Sequence, residues 1–162
     1  MVFGISLQLY TALHVLVSLI GIGTGLVVTT GLLRRKILSG WTATFLVSTI
    51  LTSVSGFGFP FEKLLPSHIL GILSLIALAI AVYSVYLRRL AGAWRNAYVV
   101  TALLSFYFNA FVLVVQAFLK TPALHALAPT QKEPPFAVAQ LGVLVIFVGA
   151  TVIALRKPVP AA

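Results

Sequence analysis

The chain has 162 residues, 60% of them hydrophobic and 8% charged, with 11 Lys and Arg against 2 acidic residues and a net charge of +9. A soluble domain of this length needs a charged surface, so the composition excludes one and predicts an integral membrane protein. The sequence contains no cysteine, which excludes disulfides, thiolate metal sites and thioether-linked haem, and no aspartate, which excludes a Ser-His-Asp triad.

The first apolar run, 7–33, lacks a basic stretch in front and is too long for a signal-peptide core, so it is expected to remain as a helix. Tyr10, His14, Ser18, Gly21, Gly25 and Thr29 recur in it at steps of three and four. Such a stripe of small and polar residues is the face that helices in lipid turn toward one another. A second run, 41–59, carries Ser48, Thr52 and Ser55, and its paired Gly56 and Gly58 loosen it ahead of Pro60. The third, 67–87, opens with His68, closes at Arg88-Arg89 and shows the stripe His68, Gly71, Ser74, Ala77, Ala81 and Ser84. In the fourth, 96–119, the polar positions are Tyr98, Thr101, Ser105, Asn109 and Gln116, with Lys120 just beyond; Asn109 is expected to hydrogen-bond a neighbouring helix. Residues 120–135, with Pro122, Pro129, Pro134 and Pro135, predict an ordered loop or short interfacial helix. The last run, 136–155, is apolar apart from Gln140 and Thr151 and is expected at the periphery.

Each run is long enough to cross a hydrocarbon core about 30 Å thick, and no barrel pattern is present, so the expected fold is all-α. It is a single domain over 1–162 with five transmembrane helices in one bundle. Eight of the eleven basic residues, in the clusters Arg34-Arg35-Lys36, Arg88-Arg89 with Arg95, and Arg156-Lys157, fall on one side of that topology. The positive-inside rule then places the N-terminus outside and the C-terminus inside, with Trp41 and Trp94 at headgroup level on the inner side. Basic residues at helix ends touch lipid headgroups, and with no basic face on a soluble module nucleic acid is excluded as a partner.

The two helical histidines stand at one level. From His14 to Arg34 is 20 residues and from His68 to Arg88 is also 20. Both imidazoles therefore lie about 30 Å above the inner anchors, near the outer edge of the hydrocarbon. Two inward histidines on different helices are the donor pair of a b-type haem, with Gln116 beside them and the small residues below leaving room for a macrocycle. A divalent metal ion is the alternative cofactor, with His14, His68, Glu62 and His125 as ligands. Either would make the chain an electron-transfer or respiratory accessory subunit. Different readings remain open beside these. Polar residues gather at an interface without function, and the glycine-bearing faces suit a packing, lipid-binding or homo-oligomeric assembly protein; a small transporter or channel comes third.

The segments Phe59-Pro60-Phe61, Leu65-Pro66-Ser67-His68, Leu127-Ala128-Pro129-Thr130-Gln131 and Glu133-Pro134-Pro135-Phe136 resemble those of a group of small bacterial inner-membrane proteins known only as hypothetical proteins. The resemblance extends over most of the chain. It implies a multi-pass protein of the bacterial inner membrane and brings no activity, cofactor or site residue with it.

Overall fold

A computed structural model describes residues 4–60 and 66–156. These form helices α1 (Leu7–Leu33), α2 (Ser39–Gly56), α3 (Pro66–Val82), α4 (Ala93–Lys120), α5 (Pro122–Leu127) and α6 (Pro134–Arg156), with α3 running on into a π-helical turn, Tyr83–Leu87. No strand is present among the described residues. Four helices, α1, α3 with its π turn, α4 and α6, are long and apolar enough to cross a membrane. The 18 residues of α2 carry more hydroxyls and fall below the other four in hydropathy. Those hydroxyls do not compete with the helix. Ser48 Oγ donates to the Thr44 carbonyl at 2.7 Å and Thr52 Oγ1 to the Ser48 carbonyl at 2.9 Å, so each side chain is satisfied one turn back.

The helix ends follow from local chemistry. Ser6 caps α1, accepting from the Leu9 N–H at 3.2 Å. At the other end Lys36 N–H reaches back to the Gly31 carbonyl at 2.9 Å across Arg35, whose φ of 61° places an arginine where glycine is usual. The turn after α3 is wider: Arg88 N–H donates to the Tyr83 carbonyl at 3.0 Å, a five-residue step. Positive φ at Arg89, Leu90 and Gly92 then reverses the chain into α4, with the Arg88 guanidinium 5.3 Å from the centre of the Trp94 ring. Trp94 thus sits among the basic residues, where an indole at headgroup level belongs. The link from α4 to α6 is ordered, as expected, and holds the short helix α5.

Close packing is concentrated toward the basic ends. Leu32 of α1, Phe45 and Leu46 of α2, Leu78 and Ala81 of α3, and Tyr98, Val99, Leu103 and Phe106 of α4 form one buried cluster that Ala154 of α6 joins. The stripe expected on α3 lies inside: His68, Ser74, Ala77, Ala81 and Ser84 are all buried. Where α1 crosses α4, Gly25 lies against the Phe106 ring so closely that a Cβ would stand 2.9 Å from Cδ2. The same ring meets Phe45 and Phe147 edge-on. Above this crossing, toward the N-terminus of α1, the packing opens.

Candidate functional site at the open end of the helices

The opening is a cavity of about 570 Å³ between α1, α2, α3 and α4, with Phe59 and Pro60 beside it. His14, His68 and Gln116 all line it, so three of the residues singled out from the sequence share one space. Their positions have separate causes. Since α2 stops at Gly56, the carbonyls of its last turn are met from beyond the helix, that of Val54 by the Phe57 N–H and that of Ser55 by the Gly58 N–H, both at 3.1 Å. Tyr10 and His14, one turn apart on α1, supply contacts there: the Tyr10 hydroxyl donates to the Ser55 carbonyl at 2.6 Å, and His14 Nδ1 lies 2.7 Å from Ser55 Oγ. Both rings also meet Phe59 edge-on, at 5.0 and 5.1 Å between centroids. His14 is therefore part of a clasp that holds the end of α2 to α1.

His68 occupies the first turn of α3 and is 5% exposed, its ring tilted over Phe57 at 5.5 Å. Phe57 in turn rests on Gly71, where a Cβ would stand 3.1 Å from the phenyl ring. Ser53 Oγ donates to Ser74 Oγ at 3.1 Å, tying α2 to α3 along the same wall. Of the lining, Asn109 reaches toward Gly21, around whose Cβ position Thr49 Oγ1, Asn109 Nδ2 and Ser48 Oγ converge at 3.1, 3.2 and 3.3 Å. Neither Thr49 Oγ1 nor Asn109 Nδ2 has a hydrogen-bond partner. The interhelical hydrogen bond expected of Asn109 is thus not made by its nitrogen, which packs on a glycine instead.

The α4 wall carries Asn109, Val112, Leu113, Gln116 and Lys120, a stripe at helical spacing whose polar members all meet the cavity. Lys120 was visible in the sequence as the continuation of the stripe, one turn beyond Gln116, but nothing in the sequence alone set it apart from a topology-fixing charge. The cavity opens sideways. Val15 and Leu19 on α1 and Leu113 on α4 line it and are still 42%, 50% and 42% exposed, which opens it between those two helices, and the exposed Pro60, Ser67, Gln116 and Lys120 open it at its end as well. A second, shallow trough runs along α1 past Leu7, Gln8, Ala12 and Leu16; it shares Thr11, Val15 and Leu19 with the cavity and holds none of His14, His68, Gln116 and Lys120.

Of the four candidate metal ligands, the three described histidines do not come together as one set. His125 lies exposed on α5 and does not line the cavity, and Glu62 lies outside the described residues. Among the described residues no three His, Cys, Asp or Glu side chains group to hold an ion. The lining also suits a cation badly, since Lys120 shares it and like charges repel. For a b-type haem both imidazoles are at hand, but Ser55 occupies Nδ1 of His14, which leaves Nε2 as that residue's ligating atom. Glu133 is held elsewhere: its Oε1 accepts from the Thr130 N–H and hydroxyl at 3.2 and 2.8 Å, and its Oε2 from the Lys132 N–H at 3.0 Å. Slight desolvation pushes the carboxyl up, but these hydrogen bonds together outweigh it and keep the group below the ordinary carboxylate range. The loop is fastened to α4 by Gln131 Nε2, which donates to the Val115 carbonyl at 2.9 Å.

Comparison with protein-family models, with curated proteins and with solved structures gives no match. What can be said of function therefore rests on the cavity itself.

Proposed function

We propose that this chain is a five-helix protein of the bacterial inner membrane, N-terminus outside, whose outer end binds a lipid-like amphiphile from the bilayer. In this reading α2 crosses as well, because Thr44, Ser48, Thr52 and Ser55 return their hydroxyls to carbonyls within the helix, Ser53 bonds Ser74 of α3, and its 18 residues span about 27 Å. The observation that carries the proposal is the cavity's opening between the apolar Val15, Leu19 and Leu113, with His14, His68, Gln116 and Lys120 in the same lining. A water-soluble ligand would have no use for a mouth in hydrocarbon, whereas an amphiphile would enter with its tail in lipid and its head among His14, His68 and Gln116. A volume of about 570 Å³ is in the range of small-ligand sites. The protein then acts by binding, as a carrier or as a lipid-dependent part of a larger assembly, and contains no catalytic group in this account.

Native mass spectrometry of the detergent-purified protein, run together with an absorption spectrum, tests the reading. The expected result is one tightly held amphiphile per chain and no Soret band. A Soret band lost in His14→Ala and His68→Ala would replace the proposal with the haem reading.

A further inference from the structure

Among the described residues the same cavity carries a charge asymmetry that specifies its ligand more narrowly, an inference that rests on the binding reading above. The chain has two acidic side chains, Glu62 and Glu133. Glu133, the one among the described residues, spends both oxygens on its own turn at Thr130 and Lys132 and does not line the cavity. Lys120 does line it, and no carboxylate among the described residues shares that lining. The same lining carries further groups able to donate: Gln116, one turn below Lys120 on the same helix, and the imidazoles of His14 and His68 on other helices. Below them the wall toward the mouth is hydrocarbon, at Val15, Leu19 and Leu113. Along α4 the 11 residues from Asn109 to Lys120 give the cavity a depth of about 16 Å.

We infer that the cavity selects an amphiphile with an acidic headgroup, a carboxylate or a phosphate, and that Lys120 is its counter-charge. Lys120 is exposed, so solvent screens part of its field, but its ammonium still attracts an anionic head and offers a neutral one no such attraction. Charge-assisted hydrogen bonds from the ammonium are correspondingly stronger than those a neutral head would receive. A long-chain alcohol would fill the same space with the same tail and forgo that contact.

The test compares three probes of equal chain length on the intact protein in nanodiscs: a fatty acid, the matching fatty alcohol and the matching lysophosphatidate. Binding is read by competition against a fluorescent fatty acid. The two acids are expected to bind at least tenfold more tightly than the alcohol, and whichever of them binds better identifies carboxylate or phosphate as the head. In Lys120→Gln, a change at an exposed position, both acids should fall to the level of the alcohol. Equal binding of acid and alcohol to the natural protein would overturn the charge selection and leave the amphiphile cavity standing, as would an acid preference that survives Lys120→Gln. Failure of all three probes to bind would overturn the cavity's function as well.

Discussion

Helices α2 and α6 differ in a way that inverts the expectation for a protein in water. Of the 23 residues of α6 only Ala154 is buried, although α6 is the most apolar of the four helices able to span a membrane. By contrast α2, the less apolar helix, buries Thr42, Phe45, Leu46, Ser48, Thr49 and Thr52 between its neighbours. In hydrocarbon an exposed Val or Ile is already in its preferred medium, so burial is driven instead by close approach and by polar groups that lipid cannot serve. Hydroxyls, and the glycines where helices cross, mark the interior here, and it is on the hydroxyl-bearing side that the cavity forms.

The sharpest way to break that comparison is to charge the bare face of α6. Val145 is 62% exposed, so Val145→Arg would be harmless in a soluble protein. In a bilayer the substitution costs about 2.5–3.5 kcal/mol of insertion free energy near mid-helix. A large loss of membrane-integrated protein is expected, and an unchanged yield in a soluble fraction would refute the membrane assignment of α6. Next in size is Gly25→Leu, whose side chain would have to displace the Phe106 ring from its position 2.9–3.0 Å from the Cβ site. Overpacking of this kind costs about 1–3 kcal/mol, to be measured as a lower unfolding midpoint in detergent. At Gly23, which has open space at its Cβ position, the matching change should be near neutral.

A smaller effect distinguishes the roles of His14. Tyr10→Phe and His14→Ala each remove one hydrogen bond from the end of α2, expected to lower stability by about 1 kcal/mol apiece. Loss of ligand binding in His14→Ala with no loss of stability would move that residue from clasp to ligand contact. The smallest effect concerns the loop over α4. Because the folded-state pKa of Glu133 is depressed, its contribution is present above the unfolded carboxylate value and is lost as pH falls through the folded one. Protease access at the loop should therefore rise between neutral and strongly acidic pH, and Glu133→Gln should flatten that rise.

Much of the helical layout was legible because lipid imposes long apolar runs. The first helix has the bounds read from the sequence, 7–33, and the inward stripe of α3 emerges residue for residue apart from Gly71, which packs on Phe57 instead of being fully enclosed. The second helix ends at Gly56, not 59, since the chain turns at its glycines so that Phe57 and Phe59 can cover His68 and His14. The meeting of His14, His68 and Gln116 in one cavity was also foreshadowed by their common height. Two things were not legible. Whether His125 joins them depends on which way a six-residue helix faces, and periodicity over so short a stretch says nothing of that. That α1 and α4 diverge into an opening depends on the crossing at Gly25 and Phe106, a contact between residues 81 positions apart with no local trace in either helix.

The location of the ligand is tested most directly by photocrosslinking a diazirine-bearing fatty acid to the protein in nanodiscs and mapping the labelled residues. Label is expected to concentrate on Val15, Leu19 and Leu113 around the mouth of the cavity and to be displaced by unlabelled fatty acid. The bare face of α6, at Val138 and Ile146, is the internal control for ordinary lipid contact. Label spread evenly over α6 and the outer flank of α1, with no competable excess between α1 and α4, would contradict an amphiphile-binding cavity.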